Sequence, residues 1–470
     1  MTATSSKRWL VAVVACGTFA SAVAAGLIFV RDWPETPDAG VVISVTKSIV
    51  ERHDVSPARD WRGRPMREQK YGLGLSLLFA GPYGVARLVD ADPIPAAMAT
   101  NAFVFGFTAI SLLALARLLD ASWGQALVTT LLIAAGTPLL PFVATGFSEL
   151  AVAATVTLGL GAVAGAGKGR AWAAPLAGAA AGAATLLRTD SLVLVLPVLA
   201  VGLVVASRER RSVWDFCLAA APFLLAWGWY NHIRYGAPWR LGYYEDEGFI
   251  YPFMRGLYGL VLSPGRGLLW YAPLVLLAVV GVRAAWRRNP TLAAVAAILF
   301  LARPLFYASW AWEGGWTWGP RFLVPAMPAL LVGVVEVVRR LPSWPRAPQL
   351  VAAVVVVLSV SVQVVGVSTD YLPSNAAVAQ VHEDFHAGLL SWDHFPIVEQ
   401  AHWMLTGRDV YVGWALPPER RPILFASLVA TSVLMAFAAV LAARRLSGVP
   451  QVPRHPRDGV PLLAPSEASS

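Results

Sequence analysis

Charge is scarce in this sequence. Only 14% of its 470 residues are Asp, Glu, Lys or Arg, whereas a soluble chain carries about a quarter. That shortage excludes an ordinary water-soluble domain. Cysteine is scarcer still: Cys16 and Cys217 are the only two, and both fall inside apolar runs, so no disulfide framework is expected. Strict apolar/polar alternation is missing, which excludes a transmembrane barrel. There is no P-loop, no G-x-S-x-G and no G-x-G-x-x-G after a strand, so no nucleotide-binding fold is indicated and no nucleotide is expected.

Apolar residues are abundant, at 57% with mean hydropathy +0.59. They fall in runs separated by Arg-rich or Pro/Gly-rich breaks, the pattern of an all-α polytopic membrane protein. The runs 9–30, 97–117, 124–143, 149–166, 172–187, 191–207, 213–231, 267–284, 291–308, 322–338, 348–368 and 422–443 predict about twelve membrane helices. The run 72–89 is broken by Gly and Pro and reads as a re-entrant or interfacial helix. The first run is too long for the core of a cleaved signal and reads as a span.

The net charge of +9 does not point to nucleic acid, because the bases cap spans and short loops. With twelve spans, Lys7, Arg8, Arg117, Lys168, Arg170, Arg283, Arg287, Arg339 and Arg444 share one side with the N-terminus. Basic short loops stay in the cytoplasm, so both termini are expected there. The expected organisation is one membrane domain over 1–368 with a first outer loop at 31–96, an outer-face loop at 369–421, a last span at 422–446, and a disordered cytoplasmic tail at 447–470. No internal repeat is evident, which weighs against repeat-built carriers.

The chemistry-bearing residues fall on the opposite, outer side. Asp32, Glu35 and Asp38 follow the first run, and Lys70 and Tyr71 close the first outer loop. A carboxylate at a membrane face can take a proton from an attacking hydroxyl, help hold a divalent metal, or simply begin a helix in water. Glu149 opens a span, where the helix dipole alone would favour an acid. Arg188 and Asp190 interrupt an apolar stretch; they read equally as a self-paired, snorkelling couple or as a cation for an anionic lipid head. Ser263-Pro-Gly-Arg266-Gly could offer N–H groups and a guanidinium to phosphate, or form a tight loop. Arg321 follows Gly319-Pro320 in a comparable setting. Trp310, Trp312, Trp316 and Trp318 surround Glu313; they read as an interfacial belt or as sugar-stacking faces. Arg303 lies within a span and should face protein or water. His382, Glu383, Asp384, His386, Asp393, His394 and His402 look metal-like but match no metal spacing.

Taken together these stretches resemble the C-type membrane glycosyltransferases, the superfamily of protein mannosyltransferases and aminoarabinose transferases, and more closely their bacterial and actinobacterial members. The likeness rests on Pro37-Asp38, Lys70-Tyr71-Gly72-Leu73-Gly74, Asn231 to Pro238, Gly256 to Gly267 and Trp312 to Arg321. It spans residues 10–340 or so. The resemblance implies a helical bundle with long outer loops, a polyprenyl-phosphate sugar as donor, and transfer to a glycan, lipid or protein acceptor at the outer face. It implies that Asp38 is the catalytic base of an inverting displacement. Lys70, Arg188, Arg266 and Arg321 become candidates for the donor phosphate; Tyr71, Glu149, Trp312, Glu313 and Trp316 become candidates for acceptor or sugar. One departure matters: Pro-Asp-Ala stands where many members carry two adjacent acids, so a single carboxylate takes the role. A divalent metal stays open. The alternatives are a lipid-linked-sugar flippase and an inactive scaffold for envelope assembly.

Overall fold

The computed structural model describes residues 3–65, 70–207, 211–243, 248–310, 312–382, 385–412 and 421–448. Helices dominate, and among the described residues there is no strand, only isolated bridges between Arg59 and Pro65 and between Thr369 and Val410. Among the described residues eight helices are long and apolar enough to cross a membrane: Lys7–Phe29, Pro93–Leu118, Glu149–Ala166, Arg211–Tyr235, Pro290–Tyr307, Arg321–Ser343, Arg346–Ser368 and Arg421–Ser447. Each meets one of the twelve expected runs. The other four runs also become helical but are short or broken.

Proline accounts for three of those breaks. The run 124–143 yields the helix Trp123–Ala135, then a 3-10 turn at Pro141–Ala144. Pro197 cannot donate to residue 193 and its ring crowds that carbonyl, so 191–207 splits into Ser191–Leu194 and Leu196–Ser207. Pro273 separates Leu268–Tyr271 from Val275–Arg288. The latter has 14 residues, about 21 Å at 1.5 Å per residue. Pro325 and Pro328 likewise force the ten residues Arg321–Leu330 into 3-10 geometry before Leu331–Arg340 continues as α-helix.

Small residues let the helices approach. A side chain at Gly178 or Gly182 of Ala173–Leu187 would strike the backbone of Phe216 or Ala220 in Arg211–Tyr235. Gly281 meets Gly333 backbone to backbone, and Gly17 lies against Met435 and Ala439 of the last helix. Close backbone contact through glycine is how membrane helices pack where hydrophobicity supplies no drive between them.

The run 72–89 forms Leu73–Leu88, packed on Pro37–Arg52 and on Ala173–Leu187. The described residues between 369 and 412 form three short helices, Leu372–Val381, Phe385–Leu390 and Pro396–Thr406, closed by the Thr369–Val410 bridge. Arg31, just after the first helix, donates to Asp370 at 3.2 Å and joins this segment to the bundle. Tail residues 449–470, the acids Glu245 to Glu247, and Glu383 with Asp384 lie outside the described residues.

Helix directions sort the charges to two ends. The ends at Phe29, Pro37, Glu149, Leu187, Tyr307 and Arg321 meet at one end of the bundle through the contacts described below. At the other end, Lys168 pairs with Asp120, Arg288 and Arg339 pair with Glu336, and Gly124 donates to the Ser447 hydroxyl.

Candidate active site: a carboxylate–guanidinium chain

Asp38 is placed by local chemistry. Thr36 caps the helix Pro37–Arg52, its hydroxyl accepting from the Ala39 N–H at 3.3 Å, and Pro37 occupies the first turn. That is the favoured arrangement for a helix start. It aims the next residue, Asp38, off the helix N-terminus with 28% of its side chain exposed.

From there a chain of ion pairs runs into the bundle. Arg321 donates through Nη1 to Asp38 at 2.6 Å and through Nε to Glu149 at 2.5 Å. Arg188 donates to the same Glu149 oxygen at 2.6 Å and to Asp190 at 3.2 Å. Arg303 reaches Asp190 at 3.1 Å, and the Tyr307 hydroxyl donates to it at 2.6 Å. Three acids meet three arginines, so the chain is formally neutral. Glu149 is fully buried, which guanidinium partners make tolerable. Its position at a helix N-terminus adds a dipole contribution.

Two further groups act on Asp38. The Tyr71 hydroxyl is hydrogen-bonded to it, and the Lys70 ammonium acts on it through space. Lys70 also sits 5.3 Å from the centre of the Tyr243 ring. Burial alone would push the Asp38 carboxyl up. The Arg321 charge, the bonds from Tyr71 and Arg321 and the Lys70 charge outweigh burial and hold it below the ordinary aspartate value. Asp190 behaves alike: burial is overcome by Arg188, Arg303 and the Tyr307 hydroxyl, which hold its pKa at about 2. Tyr71 is pushed well up, by burial and by the Asp38 charge, and keeps its proton.

Arg321 itself is aimed by the tryptophan-rich loop. Gly314, Gly315 and Gly319 all have positive φ, open to glycine at little cost. A side chain on Gly319 would press on the Tyr271 ring at 2.6 Å. Arg321 also donates to the Gly314 carbonyl at 3.4 Å.

Arg266 does not join the chain of charges. It donates to the carbonyls of Glu313 and Gly315 at 3.0 and 3.1 Å, to Gly265 at 3.0 Å and to the Asn375 amide oxygen at 2.6 Å. Its donors are spent on bracing the loop that carries Arg321. Nor does the Ser263–Gly267 turn offer free N–H groups for phosphate. The Gly265 N–H goes to Leu389, the Arg266 N–H to the Ser263 hydroxyl and the Gly267 N–H to the Ser263 carbonyl.

The tryptophans divide. Trp312 is 1% exposed, lying over Gly259 and beside Tyr251 and His386. The expected sugar-stacking face is therefore packed away. Trp318 is buried against Tyr271 and Gly366. Trp316 is 43% exposed and keeps a face available. The Glu313 carboxylate lies 3.3 Å from His386 Nδ1, whereas Arg321 donates to Asp38, Glu149 and the Gly314 carbonyl. Among the described residues no three His, Cys, Asp or Glu side chains gather into a metal-binding group. The acids at Asp38, Glu149 and Asp190 are each met by guanidinium instead.

Beside Asp38 lies a cavity of about 630 Å³, lined among others by Trp33, Glu35, Thr36, Pro37, Trp61 and Arg62. Glu35 is buried: its Oε1 accepts from the Gly146 N–H at 3.2 Å and from the Tyr371 hydroxyl at 3.3 Å, while Oε2 has no partner. The reading from sequence did not single out Tyr307, Tyr243, Tyr371 or the Arg31–Asp370 pair. The one signal available was position, since Arg31 and Asp370 each sit directly beyond an apolar run.

No protein-family model matches the chain, and no curated protein matches it. Among solved structures it is similar to ArnT from Cupriavidus metallidurans bound to undecaprenyl phosphate. The TM-score is 0.50 at 15% identity, over 95% of this chain and 78% of that one. Apo ArnT aligns with TM-score 0.47 at 16% identity, over 95% and 78%. The Archaeoglobus fulgidus oligosaccharyltransferase aligns with TM-score 0.41 at 10% identity, over 93% of this chain and 56% of that one. The first likeness is one of fold: the chain shares the helical arrangement of that ArnT structure over 95% of its own length.

Proposed function

We propose that the chain is an integral membrane glycosyltransferase that moves a sugar from a polyprenyl-phosphate donor to a cell-envelope acceptor. Its site would lie at the extracytoplasmic face, with both termini cytoplasmic. The observation that carries this reading is the Arg321 guanidinium held between Asp38 and Glu149, with Lys70, Tyr71 and Arg188 around it. The undecaprenyl phosphate bound by ArnT gives the donor its chemical class.

The ion pairs suggest how such a reaction would start. A carboxylate whose pKa is depressed is a weak base, and a base works best with a pKa near the working pH. The donor's phosphate competes with Asp38 for Arg321 and Lys70. Once Arg321 turns to phosphate, Asp38 loses its strongest restraint and its pKa rises toward a useful value. Asp38 then takes the proton of an acceptor hydroxyl, and the hydroxyl oxygen attacks the anomeric carbon. The carbon–oxygen bond to phosphate breaks, its electron pair stays on the phosphate oxygen, and the configuration inverts. Fixed cations in a dry site stabilise that growing charge without reorganisation. Arg321, Arg188 and Lys70 fill that role; Arg266, committed to backbone carbonyls, holds the loop in place. The cavity bordered by Trp33, Glu35 and Trp61 gives the acceptor its approach.

The test is transfer in proteoliposomes. Purified protein, a radiolabelled polyprenyl-phosphate sugar and an envelope fraction should give a labelled product together with free polyprenyl phosphate. Label crossing the bilayer without a product would favour a flippase. Neither product nor crossing, with a panel of pentose and hexose donors, would favour a scaffold.

A further inference from the structure

The bundle end opposite Asp38 carries a second cavity, of about 410 Å³, lined by Val280, Arg283, Ala284, Arg287 and Arg340. Val280, Arg283, Ala284 and Arg287 follow one another at helical spacing, so one stripe of Val275–Arg288 forms its wall. Arg340 comes from the end of Leu331–Arg340. The two helices are drawn together where Gly281 meets Gly333.

The arginines at this end are of two kinds. Arg288 and Arg339 both pair with the buried Glu336. Arg283, Arg287 and Arg340 converge on the cavity and meet no acid among the described residues. Like charges brought together repel, and orienting a membrane protein requires only that bases lie on one side. It does not require that three share one cavity. Toward the start of the same helix Leu276, Val279 and Val280 are exposed and apolar, and Trp286, between Arg283 and Arg287 in the sequence, is 52% exposed. Guanidinium groups at one level with an apolar wall beneath match a phosphate head with acyl chains.

We propose that this cavity binds the head of an anionic membrane lipid bearing two phosphate charges, with its chains along the Val280 face. Three unpaired cations outnumber the charge of a single phosphodiester, which favours the doubly charged class. The inference is independent of the chemistry at the Asp38 end.

Native mass spectrometry from nanodiscs tests it. The discs hold phosphatidylcholine with a few per cent of phosphatidylglycerol or diphosphatidylglycerol. The intact protein should retain diphosphatidylglycerol at least about tenfold over phosphatidylcholine, and each Arg→Gln change at 283, 287 or 340 should lower that preference about fivefold. Arg346→Gln, an exposed arginine at the same end, should leave it unchanged. Equal melting temperatures in pure phosphatidylcholine would show that the variants fold. Retention undiminished in the triple variant, or no preference in the parent protein, overturns the assignment. Pyrophosphate alone protecting the protein as strongly as the lipid would make the cavity a soluble-anion site and also overturn it.

Discussion

Arg321 and Asp38 lie 283 positions apart in the sequence and 2.6 Å apart in the structure. This contact joins the start of the third-from-last long apolar helix to the start of the helix after the first. It also sets the resting state of the carboxylate, ionised and restrained by a cation that a phosphate would want.

Replacing Asp38 by Asn should separate binding from transfer. Loss of a general base costs about 10²–10⁴ in rate. The same change frees the Nη1 donors of Arg321, so the affinity for polyprenyl phosphate should hold or rise. Donor titration alongside single-turnover transfer reads both. Weakened binding with intact transfer would reverse the assignment.

Arg321 should matter to stability as well as to chemistry. Arg321→Met leaves the fully buried Glu149 with one guanidinium instead of two and Asp38 with none. Breaking a buried pair by removing one partner costs about 3–5 kcal/mol. Arg321→Met/Glu149→Leu should recover part of that stability and none of the activity. Asp38→Asn, at a partly exposed site, should cost far less. Denaturation in detergent, followed by helical signal, measures all three.

The pH profile should lack an acid limb in the mildly acidic range. Asp38 and Asp190 have depressed folded pKa values, Asp190 at about 2. Groups lowered in the folded state contribute stability that is present in full above their unfolded values, near 4, and lost as pH falls through the folded ones. The apo protein should therefore hold its melting temperature from neutrality down to about pH 5, and lose it only in stronger acid. A fall centred near pH 6 would show that these carboxylates are not held as described.

Glycine substitutions in the tryptophan loop should grade by surroundings. Gly319→Ala meets both a positive φ and the Tyr271 ring, whereas Gly315→Ala meets open space. The open position should lose about 1–2 kcal/mol from backbone strain. Gly319→Ala should lose more and should also lower kcat, because the next turn carries Arg321. Trp316→Ala should raise KM with little effect on melting, and Trp312→Ala should cost about 3–5 kcal/mol as a buried aromatic. Equal effects at the two tryptophans would contradict the division of roles.

Much of this was readable from the chain. Long apolar runs gave the helices, because burial in lipid demands them. Asp38 stood out as an acid just beyond the first apolar run, although the Thr36 cap that places it is seen only in the structure, and charges at run ends pointed to one face. Hydropathy is blind to proline within a run: it treats 267–284 as one span, although Pro273 interrupts it. Arg266 and Arg321 sit in similar Gly/Pro settings, and no local signal shows that one faces three backbone carbonyls and the Asn375 amide oxygen while the other faces two carboxylates. Trp312 and Trp316 present the same difficulty, since burial depends on Gly259 and Tyr251, more than fifty positions away. Partners distant in sequence settled each case.

The most direct measurement is release of free polyprenyl phosphate from a lipid-phosphate sugar by the reconstituted protein, compared with its Asp38→Asn form at matched donor occupancy. The account predicts acceptor-dependent release by the parent protein and a loss of at least about a hundredfold in the variant. Equal release by both proteins would contradict it.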